Sequence, residues 1–593
     1  MSDTYESRLA AWRTAKFSPA PEKPLSPRQP TLVEMVAMRD GIRLYTEIFL
    51  PVLPSAYPVI LMRSPYPYSL PSRNDTHPLS RYQEAGYAVV FQLTRGQGQS
   101  EGDYHFLRDD INDGYDAIAW IAEQSWSNEK VGMMGPSYLG STQLLAAKAK
   151  PEALKCIMPT AFIGNATQCF PFANGVLKKA PYMQWHQVLD AERSDDMDVA
   201  YYDINALHHP LWGSAFRKRP LVDAADDVLN GDKLASWRET ISHPLDDEFW
   251  QDIHFTDQQL AELDLPMFFT DGWYDTTIGP IDFFTRLEKI RPEKTDRYLL
   301  IGPWDHYQTS SSSQPGDNNG DRILPDNASC DHIDVRLAFF DRYLKDDKAI
   351  VVQENRVRVY ITGAENSNAN IWKYFPTFPV PGTEYKKLYL HSQGDARSFP
   401  GNGTLNWDFP KNEPTDNYIY DPELPTNSRV ETYEDRRQVE IRSDVLVYTS
   451  DPLSVPLTIL GDIKLHLHAA SDGPDTDWFV ILTEVTPEGQ SLSFHYAPPA
   501  FRARYREGCT QEVFLTLNKP EEFRIPMGPA GHQIAKGNSL RLSIFSAAFP
   551  EFDPNSNTGN PAATDTEMRI AKQTVFHDED RPSHIVLPII QLK

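Results

Sequence analysis

The sequence predicts an α/β protein with a largely parallel sheet, interrupted by a helical insertion and followed by a separate all-β domain. Three observations predict it. Apolar runs of strand length alternate with helix-period segments after an opening hairpin, the strand pattern lapses between about residues 161 and 263, and period-two alternation takes over from about residue 350.

The segment Val33 to Leu50 carries Asp40-Gly41 between two alternating apolar runs, a hairpin signal. A strand from Tyr57 to Arg63 runs into Ser64-Pro65-Tyr66, and another from Ala88 to Leu93 runs into the glycine-rich loop Thr94 to Gly102. Asp110 to Gln124 places Ile111, Tyr115, Ile118 and Ile121 at helical spacing. The next strand ends in Val131-Gly-Met-Met-Gly-Pro-Ser-Tyr-Leu-Gly140, and small, helix-forming residues follow. This is a strand, a tight turn and a helix, with Ser137 at the corner.

From Ala161 to Leu263 the chain is rich in aromatic and acidic residues, with helical pieces at Tyr182 to Glu192 and Asp226 to Ile241. It is expected to form a cap, in which Phe172, Tyr182, Trp185 and Trp212 line a pocket or form the cap's own core. The sheet then resumes. Pro266 to Thr270 leads into Asp271-Gly-Trp-Tyr-Asp275, and Arg297 to Ile301 leads into Gly302-Pro-Trp-Asp-His306. After a helix from Asp334 to Tyr343, Arg356 to Ile361 is expected to open the all-β part, where Ile463, Leu465 and Leu467 alternate with Lys464, His466 and His468. The His466 and His468 pair belongs to a wet strand face rather than a metal site.

Composition narrows the function. The 57 basic and 82 acidic side chains leave a formal charge of −25, the wrong sign for a surface that binds nucleic acid or anionic membrane. Proline, at 48 residues, implies many rigid connections. The cysteines Cys156, Cys169, Cys330 and Cys509 are far apart and suggest neither a disulfide scaffold nor a zinc site. The N-terminal residues lack the pattern of a secretory leader, and no apolar run reaches membrane-spanning length, so a cytoplasmic protein is expected.

In parallel sheets, functional groups gather beyond the carboxyl ends of the strands. Tyr66, Arg95, Ser137, Asp275 and His306 all fall on that edge, and Ser, Asp, His is the chain order of α/β-hydrolases. A serine hydroxyl needs a neighbouring base to become nucleophilic, and histidine supplies one near neutrality. Ser137 is therefore the candidate nucleophile, His306 the base and acid, and Asp275 the group that holds the imidazole tautomer. The Tyr138 amide and the Tyr66 phenol are candidate oxyanion donors. Against this, the G-x-S-x-G pattern is imperfect, because the second glycine stands at Gly140. A strand cap at His306, a helix cap at Asp275 and a buried aromatic at Tyr66 are the plain alternatives.

Ser64-Pro-Tyr66, Gln92 to Gly102, Gly132 to Gly140, Gly272-Trp-Tyr-Asp275, Ile301 to His306 and Phe549 to Gly559 together resemble the bacterial cocaine esterase family of serine hydrolases. Its relatives include α-amino acid ester hydrolases, glutaryl β-lactam acylases and X-Pro dipeptidyl-peptidases. The resemblance spans about residues 35 to 593 and is weakest in the cap. It implies an α/β-hydrolase domain (1–160 and 264–349), a helical cap (161–263) and a jelly-roll β-sandwich (350–593). It also implies an acyl-enzyme on Ser137, an oxyanion hole of Tyr66 and the Tyr138 amide, and no cofactor or metal. In this family the displaced glycine is normal.

Amino-acid ester hydrolases of the group carry an acidic pair shortly after the catalytic Asp. Thr276, Thr277 and Ile278 stand there instead, so an uncharged acyl group is expected, with Thr277 and the cap's Trp185 as candidate pocket residues. Carboxylic-ester hydrolysis is the leading expectation. Amide hydrolysis or acyl transfer with the same groups is second, and an idle binding protein is third. A small ester or amide is the expected partner, and a homodimer is left open.

Overall fold

The computed structural model describes residues 29–66, 79–189, 210–310, 313–320, 322–364, 367, 369–428, 435–494 and 500–592. The surface arm that residues 1 to about 30, polar and proline-rich from Ser18 to Pro30, are expected to form lies outside them up to residue 28, as does the end of the expected helix beyond Leu189. No helix among the described residues is long and apolar enough to cross a membrane.

The opening hairpin forms β1 (Leu32–Ala37) and β2 (Arg43–Phe49), paired antiparallel. Then come β3 (Tyr57–Ser64), β4 (Ala88–Leu93), β5 (Ser127–Pro136), β6 (Leu154–Thr160), β7 (Met267–Tyr274) and β8 (Arg297–Asp305). Their spatial order is β1-β2-β4-β3-β5-β6-β7-β8, and every pairing from β4 to β8 is parallel. β3, β4 and β7 are buried along their whole length, which explains why they appear in the sequence as near-continuous apolar runs.

Helices α1 (Asp110–Ala122) and α2 (Tyr138–Lys148) pack together beside the sheet. The buried face of α1 consists of Asp110, Asp113, Gly114, Ala117, Ile118 and Ile121. Tyr115, expected on that face, is exposed under the Arg39 guanidinium. The spacing rule gave the period correctly, but acidic groups that pair with buried arginines took part of the stripe.

The insertion holds α3 (Lys179–Val188) and α4 (Gly231–Ile241). It also holds a small hairpin, Phe172–Ala173 with Val176–Leu177, where the sequence showed no strand. Beyond β8 come the short α5 (His306–Ser310) and then α6 (His332–Leu344), which buries Phe340 and Leu344.

The strand expected to open the all-β domain does something different. β9 (Val357–Gly363) runs parallel to β8 and takes an antiparallel neighbour, β10 (Ile371–Phe375), so the α/β sheet continues past residue 350. The last residues of β9 then pair with β11 (Glu521–Ile534) of the all-β domain. Alternation identifies a strand but does not say which sheet it joins. The all-β domain packs Leu390, Leu465, Trp478, Leu542 and Ile585 into one core, and His466 pairs with Glu522 on a half-buried face.

Candidate active site

β5 ends at Pro136 and α2 begins at Tyr138, so the whole turn rests on Ser137, which adopts φ 59° and ψ −125°. A non-glycine residue held there costs on the order of 1–3 kcal/mol and persists only where its surroundings enforce it. Those surroundings are visible. The Ser137 amide donates to the Thr160 carbonyl at the end of β6 (2.9 Å), and the amides of Gly140 and Ser141 donate to the Ser137 carbonyl (2.9 and 3.2 Å).

The displaced glycine has a packing reason. A Cβ on Gly140 would stand 2.7 Å from Phe162 Cβ and 2.8 Å from the Thr160 carbonyl oxygen. The glycine therefore marks where α2 crosses the end of β6.

Tyr138 is the first residue of α2, and its amide precedes the intrahelical ladder. Its side chain turns the other way, into the protein, where the phenol donates to Asp110 Oδ2 (2.9 Å) and accepts from the Leu107 amide (3.0 Å). Asp110 is bonded in turn to the fully buried Arg63 (2.7 Å). Burial pushes the Asp110 carboxyl up to about 6 against the pull of Arg63. Arg95, just past the carboxyl end of β4 as expected, braces the glycine-rich loop by pairing with Asp113 and Asp40, each at 2.7 Å.

Asp275 and His306 are brought together by strand register. Gly302 of β8 lies opposite Gly272 of β7, and after a bulge Asp305 lies opposite Tyr274, so the next residues on each strand face one another. His306 Nδ1 is 2.8 Å from Asp275 Oδ1. That oxygen also accepts from the Thr277 amide and hydroxyl, both at 2.9 Å. The Asp275 side chain is fully buried and His306 is 15% exposed, so the imidazole alone keeps access to solvent. Burial disfavours the imidazolium, but the charge and hydrogen bond of Asp275, with Asp305 behind it, outweigh that effect. The pKa of His306 therefore lies above the ordinary histidine value. Asp305 also caps α5 by accepting from the Gln308 amide (2.8 Å), so this turn both ends a strand and presents a reactive group.

Thr277, expected in the pocket, has its hydroxyl committed to the Asp275 carboxylate. Trp185 of α3 does reach the site. Its indole nitrogen is 3.5 Å from the Tyr66 phenol oxygen, and its ring stacks on Tyr138 at 6.1 Å between centroids. Sequence reasoning missed two residues. Lys178 from the cap donates to the Thr276 carbonyl (2.9 Å), and nothing in Lys178-Lys179 signals it. Asp271 is buried near Asp275, and burial with that neighbouring charge holds its carboxyl well above the usual range. The repeated acid in Asp271-Gly-Trp-Tyr-Asp275 was the available signal.

A serine held in a strained elbow, a histidine paired to a buried aspartate on neighbouring strand ends, and a parallel sheet in hydrolase order define a serine hydrolase of the α/β-hydrolase class. Residues 40–308 match the X-Pro dipeptidyl-peptidase (S15 family), and residues 350–586 match the X-Pro dipeptidyl-peptidase C-terminal non-catalytic domain. The chain belongs to the family that unites these peptidases with cocaine esterase. It is 30% identical over 590 residues to the cocaine esterase of Rhodococcus sp. (strain MB1 Bresler), covering 94% of this chain and 98% of that one. Two solved structures share the architecture at a TM-score of 0.79 and cover 97% of this chain and 99% of their own. They are an aminopeptidase from the marine sediment archaeon Thaumarchaeota archaeon (26% identical) and an α-amino acid ester hydrolase (27% identical).

Proposed function

We propose that this chain is a carboxylic-ester hydrolase working through an acyl-enzyme on Ser137. The observation that carries the proposal is the hydrogen-bonded His306–Asp275 pair beyond a sheet whose central strand ends in the Ser137 elbow. His306, held in one tautomer by Asp275, takes the Ser137 proton as the hydroxyl attacks the ester carbonyl. It then returns that proton to the leaving alkoxide. The tetrahedral oxyanion is stabilised by the Tyr138 amide and the Tyr66 phenol. Water, deprotonated by the same imidazole, releases the acid and regenerates Ser137.

An uncharged acyl group fits the surroundings best. No carboxylate follows Asp275 closely, and the cation of Lys178 is bonded beside it. Amide hydrolysis by the same groups is the second reading, favoured by the likeness to an aminopeptidase. The four cysteines are unpaired and buried, which supports placement in a reducing, cytoplasmic compartment.

The test is labelling with a fluorophosphonate, followed by turnover of simple acyl esters, X-Pro anilides and amino-acyl esters. The expected outcome is a label on Ser137 and fastest turnover of the uncharged esters. An unlabelled chain would remove both hydrolase readings, and preferred cleavage of anilides would put the second reading first.

A further inference from the structure

The segment Phe549 to Gly559 lies in the all-β domain and takes no part in the chemistry above, yet it carries a buried acid aimed at the cap. Asp553 is 2% exposed. Its Oδ2 accepts from Arg219 Nη1 (3.1 Å), and its Oδ1 lies 3.0 Å from Arg219 Nη2 and 3.3 Å from Lys179 Nζ. Lys179 is itself 1% exposed. Burial disfavours the charged carboxylate, but Arg219 and Lys179 overcome it and hold its pKa below the usual range. Burial brings Lys179 down to about 8.

The backbone reinforces the contact. The Asp553 amide donates to the Leu177 carbonyl (3.0 Å), the Arg502 amide donates to the Asn174 carbonyl (3.2 Å), and Asn174 Nδ2 donates to the Ala500 carbonyl (3.0 Å). Gly175 at the hairpin tip has φ 80°, and a Cβ there would fall 2.0 Å from the Tyr505 ring. From the other side, Asn555 Nδ2 donates to both Asp475 and Asp477 (2.8 Å each), which pair with the buried Arg504 and Arg502.

Lys179 is also the first residue of α3, and α3 carries Trp185 to Tyr66 and Tyr138. The residue before it, Lys178, bonds to the loop that follows Asp275. Two adjacent lysines of the cap thus run in opposite directions, one to the catalytic loop and one to the all-β domain.

We propose that the Asp553–Lys179–Arg219 cluster is a positioning site that sets where α3 holds Trp185 over the oxyanion corner, and so makes the all-β domain a determinant of acyl-group selectivity. The proposal rests on the ester-hydrolase reading. The cluster touches no substrate; it acts through the helix. A small acyl group clears Trp185 in any position of the helix, whereas a bulky one needs it in register.

The experiment uses the full chain and compares 4-nitrophenyl acetate with 4-nitrophenyl hexanoate, with fluorophosphonate labelling of Ser137 as the count of competent sites. Lys179→Met deletes one charge, keeps an unbranched apolar stem, and leaves Asp553 paired with Arg219, so the acid is not orphaned. Asp553→Asn is the stronger lesion. In the labelled population of Lys179→Met, the hexanoate-to-acetate ratio of kcat/KM is expected to fall about tenfold, as small displacements near reacting atoms do. Lys179→Arg is expected to restore the ratio. Equal losses on both esters, or an unchanged ratio, would overturn the proposal and leave the cluster a structural clamp. Failure to label Ser137 in the unaltered chain would instead overturn the hydrolase reading on which it rests.

Discussion

At the catalytic edge each reactive group stands just past the end of a strand, and the residues that fix it are its near neighbours in sequence or on the adjoining strand. In the cap, the helix that carries Trp185 meets an acid from another domain through Lys179, and that acid, Asp553, also pairs with Arg219, 334 residues away in the chain. The first kind of order is backbone geometry and register. The second is long-range ion pairing between side chains that each look like ordinary surface charges. The edge should therefore respond to substitution through chemistry, and the cap through selectivity.

The largest effects are expected at the edge. Ser137→Ala should abolish fluorophosphonate labelling. Asp275→Asn should lower kcat by about 10⁴ with the fold intact, because the imidazole loses its oriented tautomer. The pH profile adds a signed test. His306 acts as a base only when neutral and its pKa is raised, so kcat/KM should fall as the pH drops through a value above the ordinary ~6.5. In Asp275→Asn the raising charge is gone, and that acid limb should move to lower pH. An unmoved limb would mean that the pair does not govern the base.

Tyr66→Phe comes next. Loss of one oxyanion donor should cost ~3 kcal/mol, read as a fall in kcat of about 10² with little change in KM. Thr277→Val removes one hydroxyl bond to the Asp275 carboxylate, and a loss of about tenfold in kcat is expected. Gly140→Ala tests the packing account of the displaced glycine. It should lower stability by about 1–3 kcal/mol in denaturant unfolding while the folded fraction still labels at Ser137. An unchanged midpoint would remove that account.

The edge was legible in the sequence for the same reason it is chemically exacting. A continuous apolar run, a glycine or proline and a polar residue are local signals, and Ser137, Asp275 and His306 each follow one. The meeting of Asp275 and His306 follows from parallel pairing of their strands, which alternation with helices predicts. The bond from Thr277 to Asp275 was not foreseen, because its backbone and hydroxyl turn back on a residue two positions earlier, a contact that a pocket argument overlooks. The cap's charges were illegible because Lys178 and Lys179 differ only in the direction each side chain takes. The fate of β9 was illegible because one strand serves two sheets.

That shared strand bears on how the molecule comes apart. With β9 bonded to β8 at one end and to β11 at the other, no cut near residue 350 separates two finished bodies. A chain ending there would lose β9 and β10 and leave β8, the strand that presents His306, as a raw edge inviting intermolecular pairing. Unfolding should accordingly propagate from one sheet into the other as a single cooperative event, and a shortened catalytic fragment should aggregate rather than work.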